Sequence, residues 1–400
     1  MHDVRRPVLV VFGTRPEAIK MFPLVQALEQ SPILRPVVVT TGQHEHLVAP
    51  ILEMAGIAPD VELGVGGPGQ SINDIVSAVV SGVDGALQHG PGAGAEAVLV
   101  HGDTSSAMAA ATAAFLRQVP VAHVEAGLRT FDLMSPFPEE MNRQAIARLA
   151  TFHFAPTPAN RDNLVLEGVD VDRIAVTGNS GLDALRWTAS RRVPFSDERL
   201  AGLDAEERPI IVVTAHRREN WGAGLQAIAE GVRRVAVDNP DSLIVWPVHP
   251  NPLVAGTIAP VVSHLPNVVL TDPMDYAQFA HLLDLAYLAI TDSGGIQEEA
   301  PSLGTPVLVT RDSTERPEGV AAGTLQLVGA DADRIARNAT RLLRDEAAYR
   351  RMSGAMNPFG DGHAAERIVG ALEDAALAGE LRPFAGSLLG TDWIEEITSV

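Results

Sequence analysis

The chain has 400 residues, 46% of them apolar and 20% charged, with a net charge of −20 and no cysteine. That length and apolar content suit two globular domains. The missing cysteine excludes disulfides and thiolate chemistry, and the acidic balance excludes nucleic acid or an anionic membrane as a general partner.

No apolar run reaches the roughly 18 residues that a membrane-spanning helix needs. VLVVFG near the N-terminus is a strand-length run without the order of a secretion signal, so a cytoplasmic protein is expected. A helix through PEAIKMFPLVQALEQ follows, with Ile19, Leu24 and Leu28 near helical spacing. Then come RPVVVTTG, the helical EHLVAPILEMAG, the strand AEAVLVHGD, the helical SSAMAAATAAFLRQ, the strand VPVAHVEAG, a helix near EEMNRQAIARLA, and the strands ATFHFAPT and RIAVTGN. The Gly-rich GVGGPGQ and HGPGAGAEA read as surface turns, because neither has the strand-loop-helix setting of a phosphate loop.

RRVPFSDERLAGLDAEERP is polar and aperiodic and reads as a linker. The rhythm then restarts with IIVVTAH, LQAIAEGVRRVAV, DSLIVWPVH, NVVLTD, YAQFAHLLDLA, YLAITDSGG, TPVLVT and TLQLVG, and closes with helical patterns at 332–353 and 363–378. Buried strands joined by helices predict parallel sheets. The expected fold class is α/β: two Rossmann-like doubly wound domains with a central cleft, over 1–190 and 191–380. The last helix is expected to pack back on the first domain, with a tail at 381–400. Ligands of such sheets sit beyond the carboxyl ends of the strands.

Several motifs fall at those ends. Gly13-Thr14-Arg15-Pro16-Glu17 follows the first strand, and with Lys20 it would favour an anion at the helix start, or be only a capped turn. Lys20 is the only lysine in the chain. Asp103 in HGDTS either caps the next helix or serves chemistry. Glu125 in HVEAGLRT has less obvious structural use. Of Glu139 and Glu140 in SPFPEEMNR, one complements the helix dipole and the other is available for chemistry. Three strand-end acids on one domain suit general acid–base work on a weakly acidic C–H.

In the second half, His216 between Ala215 and Arg217-Arg218 is a candidate anion site, and His249 lies in the rigid turn WPVHPNP. In AITDSGGIQEEAPSLGTPVLV a strand ends at Asp292 and a helix begins after Ser293-Gly294-Gly295, whose amides can hold a diphosphate. Glu299 lies one turn further on, and Arg316 sits in the loop RDSTERPEG.

GTRPEAIKM, TGQH, HGDTSSA, HVEAGLRT, SPFPEEMNR, VTGN, HRREN, HPN, DSGGIQEE, GTPVLVTR and TERPEG occur in this order. Together they resemble the bacterial non-hydrolysing UDP-N-acetylglucosamine 2-epimerases, over nearly the whole chain. The resemblance implies a GT-B-like fold and interconversion of UDP-GlcNAc and UDP-ManNAc through anti elimination of UDP and re-addition to 2-acetamidoglucal. It implies no cofactor, no metal, a UDP-sugar substrate and a homodimer. By the same resemblance Asp103, Glu125 and Glu139 are catalytic acids of the first domain, a pair from Glu125 and Glu139 carrying the proton with Asp103 tuning or shuttling. His216 helps UDP leave and return. Arg15, Lys20, His249, Phe279, Ser293, Gly294, Gly295, Glu299 and Arg316 bind UDP, mostly from the second domain. Gln43, His44 and Arg217 resemble part of an activating second UDP-GlcNAc site. Phe131, His46 and Gly181 depart from what the family usually carries at these places. The competing readings are a 2-epimerase of a modified UDP-sugar such as a 2,3-diacetamido uronic acid, a hydrolysing epimerase releasing ManNAc, a GT-B glycosyltransferase, and a non-catalytic sugar-nucleotide sensor.

Overall fold

A computed structural model describes residues 4–67 and 69–379, so the expected tail at 381–400 lies outside the described residues. The described chain forms two compact units: one runs up to Ala184 and is rejoined from Gly360 onward, the other is Leu185–Phe359.

The first unit holds strands β1 (Arg6–Phe12), β2 (Leu34–Thr40), β3 (Val61–Glu62), β4 (Ala97–His101), β5 (Val121–Val124), β6 (Phe152–Ala155) and β7 (Ile174–Val176), in the spatial order β3-β2-β1-β4-β5-β6-β7. The second holds β8 (Ile210–Thr214), β9 (Leu243–Pro247), β10 (Val268–Thr271), β11 (Leu288–Thr291), β12 (Val307–Val309) and β13 (Leu325–Leu327), in the order β10-β9-β8-β11-β12-β13. The strand pairings among the described residues are parallel, from Arg6↔Leu34 in the first sheet to Val309↔Leu327 in the last pair. Each unit is thus a Rossmann-like doubly wound sheet.

Near-continuous apolar strands arise because both sheet faces are covered by helices. In β8, Ile211 and Val213 face one apolar cluster while Ile210 and Val212 face another. Burying such a side chain contributes about 1.5–3 kcal/mol. The strand order reverses between β1 and β4 and between β8 and β11. Loops after these four strands therefore flank the two places where doubly wound sheets leave a ligand crevice.

Two regions differ from the sequence-based reading. An 18-residue helix, Ile72–His89, occupies a stretch for which no element is expected. Its interior Gly82 and Gly85 weaken the helical pattern. At Gly82 a Cβ would lie 2.7 Å from a Leu63 methyl, so the glycine lets that leucine pack close to the helix. The stretch read as a linker folds into two 3-10 turns, Glu198–Leu200 and Leu203–Ala205, whose leucines are buried in the second unit's core. The closing helix Ala364–Ala378 packs on the helix Arg15–Gln30 of the first unit. Asp183 caps that closing helix by accepting from the amides of Ala364 (3.2 Å) and Ala365 (2.8 Å). No helix among the described residues is long and apolar enough to cross a membrane.

Candidate active site

In the first unit the loop after β1 is built around a carboxylate. Buried Glu17 accepts from the amides of Gly13 (3.0 Å) and Thr14 (2.8 Å), from the Thr14 hydroxyl (2.9 Å) and from the Thr104 hydroxyl (2.6 Å). It ties the β1 loop to the β4 loop. Gly13 must be glycine, since a Cβ would fall 1.9 Å from Thr41 Oγ1. The amides of Gly13 and Thr14, expected to be open to an anion, are therefore already satisfied by Glu17. Arg15 is exposed on the first helical turn beside them.

Lys20 meets a carboxylate of the protein itself. Its Nζ lies 2.5 Å from Glu125 Oε2, and His101 Nε2 approaches the same oxygen at 2.6 Å. Glu125 follows β5 with φ +63, a left-handed backbone that a non-glycine residue seldom adopts and that functional sites tend to store. Burial would raise the Glu125 carboxyl, but the charges of Lys20 and His101 outweigh it and hold the group well below the usual carboxylate range. Gly181 would bring a Cβ within 3.5 Å of Lys20 Cγ, so the small residue leaves room for the lysine stem.

Asp103 stands two residues past β4, after Gly102 at φ +63. It is not the helix cap: Thr104 is, its hydroxyl accepting from the Ala107 amide at 3.0 Å. Instead Asp103 Oδ2 takes Arg143 Nε at 2.9 Å and Nη2 at 2.7 Å. Burial pushes its carboxyl above the ordinary value; Arg143 opposes this and the neighbouring charge of Glu125 adds to it. His123, fully buried on β5, contacts the Gly102 carbonyl through Nε2 at 2.7 Å and steadies the same turn. Burial pushes its imidazole down to about 4.

The neighbouring glutamates divide their work. Glu140 is fully buried and accepts from the amides of Thr130 (3.0 Å) and Phe131 (3.1 Å), from Arg143 Nη1 (3.1 Å) and from Gln144 Nε2 (3.0 Å). Those hydrogen bonds more than offset burial and keep it ionised. Glu139 begins the helix Glu139–Leu149, and its Oε2 is buried with no hydrogen-bond partner. Arg143 joins Asp103 to Glu140 and so sets the start of that helix against the β4 loop. On the far side of the β1 loop, Gln43 Oε1 accepts from Ser106 Oγ at 2.8 Å, and His44 is exposed.

The second unit gathers cations around one turn. Asp292 immediately follows β11, and Ser293 opens the short helix Gly294–Glu299, which continues as a 3-10 turn to Leu303. A Cβ at Gly294 would lie 3.1 Å from the Arg316 guanidinium carbon and 3.4 Å from Arg217 Nη2. Arg217 is thus at the Gly294 turn and not apart from it. Arg316 also pairs with Glu298 at 2.7 Å and with Glu315 at 2.9 Å. His216 is exposed and stacks on exposed His249, their ring centres 6.0 Å apart and 10° from parallel. Glu299 is half-buried one turn into the helix. Phe279 packs on the apolar cluster under β8 and β12.

The first unit therefore offers three carboxylates in unlike surroundings, and the second an anion cradle. Sequence reasoning missed Glu17, His101, Arg143 and Asp292. All four lie within the quoted motifs, and the signal was the density of polar side chains at a strand end beyond what a turn needs. Among the described residues, no group of three or more His, Asp and Glu side chains is arranged to hold a metal ion.

The profile of the UDP-N-acetylglucosamine 2-epimerases matches residues 26–373. A UDP-N-acetylglucosamine 2-epimerase of Escherichia coli K12 is 47% identical over 374 residues, covering 92% of this chain and 98% of the relative. The crystal structure of a Neisseria meningitidis UDP-GlcNAc 2-epimerase bound to UDP-GlcNAc is similar at 40% identity and a TM-score of 0.76, covering 92% of this chain and 99% of that one. S. aureus MnaA, solved with UDP, has 40% identity and a TM-score of 0.79, covering 96% and 100%.

Proposed function

Since the chain belongs to the UDP-N-acetylglucosamine 2-epimerase family, we propose that it interconverts UDP-GlcNAc and UDP-ManNAc by eliminating and re-adding UDP. In the elimination the C2 proton passes to a carboxylate. The C1–O bond breaks with its electron pair on the β-phosphate oxygen, leaving 2-acetamidoglucal and UDP. In the return step C2 is protonated from the opposite face and the UDP oxygen adds to C1. The net reaction is redox neutral, so its balance needs no electron carrier.

The observation that carries this reading is the unlike setting of two neighbouring carboxyls: Lys20 and His101 both meet one oxygen of Glu125, while Asp103 is held by Arg143, and these surroundings push the two in opposite directions. Such a split is how acid–base roles are divided. Asp103, raised, and Glu139, with an unsatisfied oxygen, are the proton carriers in this scheme. Glu125, clamped by Lys20 and His101, is the lasting anion that stabilises positive charge growing on the sugar ring as UDP departs. This reverses the sequence-based pairing, which gave Asp103 the supporting part. Arg15 and the Ser293-Gly294-Gly295 turn with Arg316 and Arg217 serve the diphosphate, whose β-phosphate gains charge in the same step. His216 assists its departure, Glu299 takes ribose hydroxyls, and Phe279 and His249 border the nucleotide.

The test is proton NMR of UDP-GlcNAc with the protein in D2O. The scheme expects UDP-ManNAc to appear with deuterium at C2 of both sugars. Free ManNAc would assign a hydrolysing epimerase, and tight binding without exchange would assign a sensor; either result overturns the proposal. Gln43 and His44 are also proposed to take a second, activating UDP-GlcNAc. Full initial velocity from pure UDP-ManNAc would refute that part.

A further inference from the structure

Asp292 is fully buried, and among the described residues the one titratable side chain it meets is His216. A buried carboxylate costs several kcal/mol unless its oxygens are satisfied. Here one short loop satisfies them. Oδ2 accepts from the His216 amide (3.0 Å), the Arg217 amide (2.9 Å) and Asn220 Nδ2 (3.1 Å). Oδ1 also accepts from the His216 amide (3.2 Å) and lies 3.4 Å from His216 Nδ1. At 3.4 Å the ring contact is longer than the amide hydrogen bonds beside it. His249 stacks on a face of the same ring.

We propose that Asp292 is the positioning residue for His216, committing Nδ1–H to its carboxylate so that Nε2 serves the leaving diphosphate. The proposal rests on the reading of His216 as the group that assists UDP. Asp292 also immediately precedes Ser293, so one carboxylate joins the imidazole loop to the diphosphate turn. Its negative charge supports an imidazolium whose Nε2–H meets the phosphate oxygen as the C1–O bond breaks.

Asparagine separates this role from simple loop support. Its single oxygen can still take the three donors that converge on Oδ2. Its amide NH2, however, would face Nδ1 and favour the opposite tautomer, with the proton on Nε2 and no charge to support. The experiment uses the full chain with 15N-labelled histidine, at a pH above the ordinary histidine range. His216 is assigned by difference from His216→Asn. The wild-type spectrum is expected to show the Nδ1–H tautomer and Asp292→Asn the Nε2–H tautomer. In that variant kcat is expected to fall by about 100-fold, with UDP affinity held within about threefold. An Nε2–H tautomer in the wild type overturns the proposal without any variant having to fold. So do an unchanged tautomer in Asp292→Asn and a parallel loss of kcat and UDP affinity. The tautomer is read without turnover: if it behaves as expected while UDP-GlcNAc is not converted, the dyad stands and the epimerase reading falls.

Discussion

The lone lysine offers the sharpest perturbation. At the 2.5 Å separation of Lys20 Nζ and Glu125 Oε2, two unit charges attract by about 6–7 kcal/mol at an effective dielectric of about 20. The cost of desolvating both groups cancels much of that, and removing one partner of such a pair typically costs about 3–5 kcal/mol. If half of the loss is felt as UDP departs, about 2 kcal/mol, Lys20→Met lowers kcat by about 30-fold. Lys20→Arg keeps the charge but not the shape. The same oxygen carries His101 Nε2 at 2.6 Å, which leaves space for a compact ammonium and not for a planar fork. A loss of about tenfold is expected for Arg, with the thermal midpoint changed little. Conversion of UDP-GlcNAc followed by NMR gives kcat, and a melting curve on the same sample separates turnover from folding. Wild-type turnover in Lys20→Arg would refute the steric argument, and wild-type turnover in Lys20→Met would refute the pairing itself.

Glu140→Ala strips four hydrogen bonds from a fully buried carboxylate and is expected to cost about 2–4 kcal/mol of stability; a denaturant midpoint unchanged from wild type would contradict its structural role. His123 and His153 are buried and pushed down to about 4 and about 3. Folding therefore favours their neutral forms. The stability they contribute is complete above the unfolded value near 6.5, and it is lost as pH falls toward 4, on the order of 3 kcal/mol or more for each. Melting temperatures from pH 7 to 4 should show this as a steep fall that His123→Gln makes shallower. Asp183 behaves in the opposite sense. Burial raises its carboxyl to about 6, against the two amides of the closing helix that favour its charge. Stability is then highest below about 4 for this group and declines by about 3 kcal/mol as pH rises through 6. Asp183→Asn should flatten that decline, and an unaltered pH slope would show that Asp183 does not report on the closing helix.

Much of the fold was legible because parallel strands buried on both faces are written as unbroken apolar runs: Val8–Val11, Val98–Val100 and Ile210–Val213 could hardly be anything else. The helix Ile72–His89 was not legible, since its two glycines mimic a loop and the residue that packs on Gly82, Leu63, lies outside the helix. The buried leucines of the 198–205 stretch were hidden by polar neighbours, and nothing in an aperiodic segment says which side chain points inward. At the site, residue types and strand-end positions were visible, but pairing was not. Lys20 was visible as a cation beside a strand end, but 105 residues separate it in sequence from the carboxylate it meets. Glu139 and Glu140 were interchangeable on paper. Only the loop at Thr130 and Phe131, folding over Glu140, distinguishes the satisfied carboxylate from the one with an open oxygen. Asp292 read as the end of a strand because its role depends on a loop contributed by β8.

The central claim is that the C1–O bond breaks and re-forms with UDP held in place. It is tested most directly with UDP-GlcNAc carrying 18O at the oxygen bridging C1 and the β-phosphate, followed by phosphorus NMR as epimers interconvert. Elimination frees the phosphate to rotate before re-addition, so the label is expected to spread from the bridging to the non-bridging β-phosphate positions while UDP-ManNAc accumulates. Epimerisation with the label retained wholly in the bridge would contradict the account.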